Sequence, residues 1–509
     1  MTAEPFPSGL PLGLDAGVRV RRGRRPPAGR VLVGGDPPRA LRLSAAGAAV
    51  LDRLRTTGAG ASAGERGLAR TLVDGGLAHP RPGRVAVTGV TVVVPVRDRS
   101  EELDRCLAAA GVPGRALLVV DDGSRDPGAV AAVCARHGAR LVRRAACGGP
   151  AAARNTALSH VDTPLVAFLD SDCVPRPGWL GALLGHFADP VVGAVAPRVT
   201  GGGDAGSPAG DGPPAALAHP FPIGERMCQP SDEGARPPAR AGAVGRFAAA
   251  RSPLDLGPRP ARVAPGGRVS YVPTAALLVR REAFGDGFDP ALRYGEDVDL
   301  VWRLHDAGWR VRYDPAAVVD HAEPARLSAL LARRFHYGTS TAPLAARHPG
   351  RLAPFVVHPW SVAVVGLALA RRPGLAAAVA AAQGVALTRR LRPAGAGARE
   401  AAAWPARGVT QTLVAGGRTA TMLAPGVLAA GVAGRRTRPA ALVLVLASPL
   451  AEWVARRPAL DPVRWTALSV ADDVAYGAGV WVGAFRTRTS APLRPAWGGR
   501  FAGRPRVRR

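Results

Sequence analysis

The sequence predicts an α/β protein: a mostly parallel sheet flanked by helices, with a small hairpin-plus-helices unit before it and an apolar helical region after it. Three observations carry this. Between residues 89 and 330, short β-branched runs alternate with amphipathic segments, the pattern of a βαβ series. One run, Leu165-Val-Ala-Phe-Leu, ends in Asp170-Ser171-Asp172, so two carboxylates stand at the carboxyl end of a strand, where open α/β sheets bind ligands. Beyond residue 352 the chain becomes a string of apolar runs separated by arginine pairs.

Residues 1–85 form the first expected unit. Arg30-Val-Leu-Val, a Gly34-Gly-Asp-Pro-Pro turn and Ala40-Leu-Arg-Leu predict a hairpin. Ser44 is placed to cap a helix whose apolar residues recur at helical spacing, and a second helix runs from Glu65 to the Gly75-Gly76 stop. Hairpin plus two helices is winged-helix-like.

In the second unit, 89–330, strands are expected at Thr91–Val94, Leu117–Val120, Arg140–Val142, Leu165–Leu169 and Gly193–Ala196. Helices are expected around Glu101–Ala110, Gly128–His137, Pro150–Ser159 and Gly178–Ala188. The Gly/Pro/Asp-rich stretch 201–216 predicts a flexible loop, and 221–267 an irregular lid or acceptor-binding insertion. A third unit, 331–485, holds apolar runs at Ser361–Ala370, Gly374–Leu387, Thr421–Gly434 and Ala440–Leu450. Each is shorter than the roughly 20 residues that span a bilayer. The arginine pairs between them favour membrane association with a cytoplasmic catalytic domain, against a cytoplasmic helical bundle as the alternative. Residues 486–509 are a basic tail.

The chain carries 67 basic and 38 acidic residues, a formal charge of +29, yet no lysine. Arginine, with 63 glycines and 49 prolines, is the background of a GC-rich genome, so scattered solvated arginines explain most of the charge better than nucleic-acid binding. Five cysteines without a C-x-x-C pair suggest reduced thiols in a cytosolic compartment.

Asp170-Ser171-Asp172 offers hard oxygen ligands suited to Mg²⁺ or Mn²⁺, ions commonly shared with substrate phosphates. Asp121-Asp122-Gly-Ser follows another strand and either contacts a nucleoside or is a polar turn before a helix. Gly148-Gly149-Pro150-Ala-Ala-Ala-Arg154-Asn offers backbone N–H groups and a guanidinium to a diphosphate. Gly295-Glu296-Asp297 opens a helix, where acids favour the macrodipole and one acid can act as a base. His321 ends a strand at Ala317–Asp320, where an imidazole can join a metal or a diphosphate.

Taken in order, Val92-Val-Val-Pro95-Val, Asp121-Asp-Gly-Ser, Gly149-Pro-Ala-Ala-Ala-Arg-Asn, Asp170-Ser-Asp, Gly295-Glu-Asp and Trp309-Arg-Val-Arg-Tyr-Asp-Pro…His321 resemble the family 2 glycosyltransferases with a GT-A fold, over residues 89–325. Ser252-Pro-Leu-Asp-Leu-Gly and Val263-Ala-Pro-Gly-Gly-Arg-Val-Ser-Tyr-Val-Pro-Thr-Ala, with the unit at Arg30–Pro80, look like the branch of that family serving mycofactocin biosynthesis. The resemblance implies that Pro95, Asp98, Asp121, Asp122, Arg154 and Asp170 line a UDP-sugar site. It implies that Asp172 and His321 hold Mg²⁺ or Mn²⁺, and that Asp297 is the base with Glu296 beside it. The reaction would be inverting: glucose passes from UDP-glucose to a hydroxyl of a peptide-derived acceptor, building a β-linked chain.

The first unit resembles PqqD-like modules that recognise a precursor peptide by strand addition. The Q-x-x-R-W of processive synthases is missing; Leu331-Ala-Arg-Arg-Phe-His-Tyr-Gly stands instead, leaving Arg333, Arg334 and His336 as diphosphate or acceptor contacts. Two rivals remain: a membrane enzyme making a lipid-linked or envelope glycan, and a peptide- or nucleic-acid-binding protein using the first unit.

Overall fold

The computed structural model describes residues 4–22, 29–60, 62–202, 242–391 and 398–497. Of the expected loop at 201–216, residues 203–216 lie outside them, as do residues 221–241 of the insertion at 221–267 and the end of the basic tail. The described residues divide into two compact units. One comprises residues up to 202 with Ser252–Glu323; the other comprises 242–251 with the residues from Pro324 onward.

The first unit begins with β1 (Leu12–Leu14), β2 (Arg19–Arg22), β3 (Arg30–Gly34), β4 (Arg39–Leu43), α1 (Ala45–Thr56), α2 (Ala63–Asp74) and β5 (Ala78–Pro80). The β3–β4 hairpin is present, but β2 makes it a three-stranded sheet, and β1 pairs antiparallel with β5. Ser44 caps α1 by accepting from the Gly47 amide, and Ser62 caps α2 by accepting from Glu65. Phe6, Leu12, Leu32, Leu51, Leu54, Leu72 and Val73 form its core. This small core is fastened to the following sheet by a buried bidentate pair, Arg70 to Asp189 at 2.8 and 2.9 Å.

The catalytic-type sheet follows in chain order: β6 (Val90–Val96), α3 (Ser100–Ala109), β7 (Leu117–Asp121), α4 (Pro127–Arg136), β8 (Arg140–Arg143), α5 (Pro150–Leu158), β9 (Leu165–Leu169), β10 (Cys173–Pro175), α6 (Trp179–Leu184) and β11 (Val192–Gly201). After α7 (Ala243–Ala250), part of the second unit, come β12 (Ala261–Val263), β13 (Ala276–Arg280), α8 (Glu296–Asp306) and β14 (Arg310–His321). The order is β10-β14-β11-β13-β9-β6-β7-β8, with β12 beside β14. β6, β7, β8 and β9 run parallel, as do β11 and β14; β13 is antiparallel to both its neighbours. Val92, Val94, Val119, Ala167, Leu169, Val195 and Leu278 bury their side chains in one core with Leu103, Val130 and Trp179 from the helices. Burial on both faces explains the unbroken apolar strands. β14 is longer than the expected Ala317–Asp320 because it continues past Pro315, with a register shift against β11 near Pro197.

Cys106, Cys134 and Cys173 are free thiols buried in this unit. Cys147 sits half-exposed on a turn, its Sγ 3.3 Å from Asp122 Oδ2.

The second unit adds α9 (Leu327–Thr339), α10 (Thr341–Arg347), β15 (Val356–Val357), α11 (Pro359–Leu369), α12 (Pro373–Leu391), α13 (Ala398–Leu423), α14 (Pro425–Ala433), α15 (Arg438–Arg456), α16 (Pro462–Arg486) and β16 (Ala496–Trp497). The expected apolar runs are these helices; the run Thr421–Gly434 is broken before Pro425. Helices α9 and α16 approach closely because glycines line the contact: a Cβ on Gly479 would fall 2.0 Å from the Phe335 carbonyl oxygen. Among the described residues α15 is long and apolar enough to cross a bilayer, and α13 from Pro405 qualifies only jointly with α14 across a 103° bend. Trp481, Phe485, Val427, Val454 and Val463 are exposed here, while in the first unit only Val20, Val85, Val87 and Val174 stand out among described large apolar side chains.

Candidate active site at the carboxyl edge of the sheet

The carboxylates predicted from the sequence gather at the carboxyl ends of β6, β7 and β9. Pro95 lies in β6 opposite Val120 of β7. Past the end of β6, Asp98 adopts a left-handed backbone at φ 54, a conformation Asp tolerates better than most residues. Its amide donates to Ser124 Oγ (3.0 Å) and its Oδ1 accepts from the Arg125 amide (2.7 Å), so the β6 and β7 loops are stitched together. Asp121 is fully buried: Oδ1 accepts from the Ser124 amide at 2.8 Å, while buried Oδ2 has no hydrogen-bond partner among the described residues.

Asp122 does different work. Its carboxylate accepts from the amides of Gly148 (3.0 Å) and Gly149 (2.7 Å) and lies 2.8 Å from Arg144 Nε. The glycine-rich turn therefore points its N–H groups at Asp122, not outward to a diphosphate as its sequence suggested. Arg154 likewise departs from the expectation of a phosphate ligand. It is 1% exposed, donates Nη1 to Glu296 Oε1 (2.9 Å) and Nη2 to Asp170 Oδ1 (2.6 Å), and lies over the Phe288 ring. It ties the aspartate pair to the acidic helix start, a connection across 142 residues that no local motif reports.

Glu296 and Asp297 open α8 after Gly295, whose φ of 84 is a left-handed turn suited to glycine. Both acids are 1% exposed. Burial, then the neighbouring Asp297 charge, pushes the Glu296 carboxyl up to about 8, against the opposing pull of Arg154. The upward direction holds because Asp170 already neutralises Arg154. Asp297 Oδ1 accepts from the Val298 amide at 2.8 Å.

Strand β10 follows Asp172 directly and pairs antiparallel with the end of β14, Cys173 opposite His321. This register brings His321 Nε2 to 3.7 Å from Asp172 Oδ1. Two residues that sequence reasoning missed complete the edge. The Glu323 carboxylate lies 3.5 Å from His321 Nδ1, and its signal was an acid two residues past the histidine. Arg99 places Nη1 on Asp172 Oδ2, and its signal was a guanidinium next to Asp98 at the start of α3.

These residues fit a hard divalent ion in a particular way. Among the described residues no three His, Cys, Asp or Glu side chains converge as metal ligands. Asp172 and His321 would supply two, the remainder coming from phosphate oxygens and water, as is usual for Mg²⁺ and Mn²⁺ beside nucleotides. Among the described residues, the buried Oδ2 of Asp170 at the same strand end is without a hydrogen-bond partner. Arg333, Arg334 and His336 lie on α9 of the second unit. There Arg334 donates Nε to Asp472 (2.5 Å) and Nη2 to the Arg251 carbonyl (2.9 Å).

Comparison with known proteins decides the family. The glycosyl transferase family 2 profile matches residues 91–242. Pre-mycofactocin glycosyltransferase of Mycobacterium tuberculosis is 36% identical over 97% of this chain and 99% of its own length. The chain belongs to glycosyltransferase family 2. Within that family, N-acetylglucosaminyl-diphospho-decaprenol L-rhamnosyltransferase of M. tuberculosis shares 45% identity over a shorter stretch, 14% of this chain and 24% of that enzyme. Among solved structures, a mannosyltransferase from Pyrobaculum calidifontis, in complex with GDP-Man and Mn²⁺, is similar over 74% of this chain and 89% of its own, at 20% identity and a TM-score of 0.37. This family 2 enzyme has the GT-A arrangement expected from its motifs, a mostly parallel sheet flanked by helices with the acids at its carboxyl edge.

Proposed function

We propose that this glycosyltransferase moves glucose from UDP-glucose to a hydroxyl of pre-mycofactocin, a peptide-derived acceptor, with inversion, and repeats the step to build a β-linked chain. The observation that carries the acceptor is the full-length similarity to pre-mycofactocin glycosyltransferase, which includes the N-terminal unit and the helical region as well as the sheet.

In this reading Pro95, Asp98 and Asp121 line the nucleoside side of the donor site. Asp122 serves it indirectly by holding the glycine-rich turn. Asp172 and His321 hold Mg²⁺ or Mn²⁺, which when bound supplies positive charge to the leaving diphosphate. Arg99 adds a second positive charge at the same carboxylate. Arg154 positions Asp170 and Glu296 relative to one another. Asp297 takes the proton of the acceptor hydroxyl; the acceptor oxygen bonds to the anomeric carbon as the bond from that carbon to the diphosphate oxygen breaks, and UDP leaves. Glu296, kept protonated by burial, spares Asp297 a second adjacent negative charge. Arg334 is assigned to holding the second unit together through Asp472 and the Arg251 carbonyl, while Arg333 and the half-buried His336 on the same helix are kept as acceptor or diphosphate contacts.

The exposed apolar side chains of the second unit, its 103° helix pair and its arginine flanks favour a cytoplasmic membrane face. The outer strands β2 and β4 of the N-terminal sheet are edges to which a precursor peptide could add a strand. Nucleic acid has no place in this reading.

A screen of UDP-sugars with either a pre-mycofactocin-type peptide-derived acceptor or a polyprenyl-phosphate lipid tests the proposal. Labelled glucose is expected in the peptide-derived acceptor; label confined to lipid would replace the proposal with envelope-glycan synthesis.

A further inference from the structure

Far from the carboxylate edge, β14 carries an arginine that the glycosyl-transfer reading does not use. Arg312 is 1% exposed, and none of its three guanidinium nitrogens has a hydrogen-bond partner among the described residues. It lies directly opposite Arg262 of β12, so two like charges share one face of a strand pair, an arrangement that destabilises a sheet. The N-terminal unit adds Arg70 on α2, and Arg268 and Arg310 lie nearby; burial keeps His79 of β5 toward its neutral form.

The acids of the neighbourhood are already committed. Asp189 takes both Nη atoms of Arg70, Asp74 pairs with Arg310 at 3.0 Å, Asp15 lies 2.9 Å from His79 Nε2, and Asp36 accepts from the Arg268 amide at 2.6 Å. None reaches Arg312. Burial pushes its guanidinium down to about 10, and burial also lowers Arg262, Arg268 and His79. A buried guanidinium without partners is costly, and its planar fork matches a carboxylate or phosphate in two-point fashion.

We propose that Arg312, with Arg262, forms an oxyanion-binding site beneath the N-terminal unit, taking the carboxylate or phosphate group of a small ligand. The site is separate from the donor site: Arg312 precedes His321 by nine residues of one strand, roughly 30 Å at the usual strand rise. An anion seated here joins β12 and β14 to the N-terminal unit, so its occupancy sets how firmly that unit is held.

The test uses the full chain, with inorganic phosphate and succinate as probes against sodium chloride at matched ionic strength, read by thermal melting and calorimetry. Wild type and Asp172→Ala are expected to bind one probe saturably and melt higher; phosphate alone marks a phosphate seat, succinate a carboxylate seat. Arg312→Met should weaken that binding by about tenfold or more while melting no lower than wild type without probe, because it removes an uncompensated charge. Arg262→Gln, at a half-buried position, should weaken binding as well. Binding lost in Asp172→Ala but kept in Arg312→Met would place the anion at the donor site and overturn the proposal. So would unchanged binding in both arginine variants, no saturable effect in wild type, or an Arg312→Met protein that fails to fold.

Discussion

The two compact units bury charge in opposite ways. In the second, Arg251, Arg334 and Arg418 meet Glu452, Asp472 and Asp473 in a sealed cluster. Arg251 alone contacts all three acids, at 2.8, 2.5 and 3.0 Å, and is 0% exposed. Three cations face three anions, and the helices α7, α9, α13, α15 and α16 are joined through them. In the first unit several buried acids at the sheet's carboxyl edge are left incomplete: among the described residues, Asp121 Oδ2, Asp170 Oδ2 and Glu296 Oε2 have no hydrogen-bond partner. Native proteins satisfy most buried polar atoms. The closed cluster therefore serves the fold, whereas the unsatisfied oxygens lie where the donor site is proposed. Burial alone does not separate structural from functional charge; satisfaction does.

Breaking the closed cluster should give the largest change in stability. Arg251→Met leaves three acids facing two cations, and is expected to cost about 3–5 kcal/mol by chemical denaturation, with UDP-sugar binding retained at temperatures where the protein stays folded. A loss below about 1 kcal/mol would mean that the cluster is not the sealed hub described. A smaller effect separates the open site. The folded-state carboxyl of Glu296 is raised from 4.5 to about 8, so between those values the folded chain holds a proton that the unfolded chain has released. Stability should fall as pH rises through that window, by up to about 1.4 kcal/mol per pH unit. Glu296→Gln should flatten that slope in denaturation midpoints between pH 5 and 8. Parallel slopes for the two proteins would show that Glu296 titrates normally.

Much of the first unit was legible because its strands are buried on both faces and α1 begins at a serine cap. The runs at Leu117 and Leu165 and the cap at Ser44 lie where the residues suggested, while β11 runs from Val192 to Gly201, beyond the expected Gly193–Ala196. Pairing was less legible. Nothing local to Leu12–Leu14 announces its partner Ala78–Pro80, and the register that sets His321 beside Asp172 depends on β10, three residues long. Arg154 reads as a diphosphate contact on a short helix until Glu296 and Asp170 close around it. Arg251 meets partners more than 200 positions away. Motifs located the strand-end acids; only the tertiary contacts separated Asp122 and Arg154, which are held by buried partners, from Asp172 and His321, the metal ligands of the proposed reading.

The most direct measurement is calorimetric titration of UDP-glucose with and without Mn²⁺ into wild type, Asp172→Ala and Asp297→Asn, alongside turnover with a peptide-derived acceptor. The account predicts that Asp172→Ala loses metal-dependent binding and transfer together. It predicts that Asp297→Asn binds donor as wild type does while turnover falls by about 10²–10⁴-fold. Wild-type turnover in Asp297→Asn, or metal-dependent binding undiminished in Asp172→Ala, would contradict it.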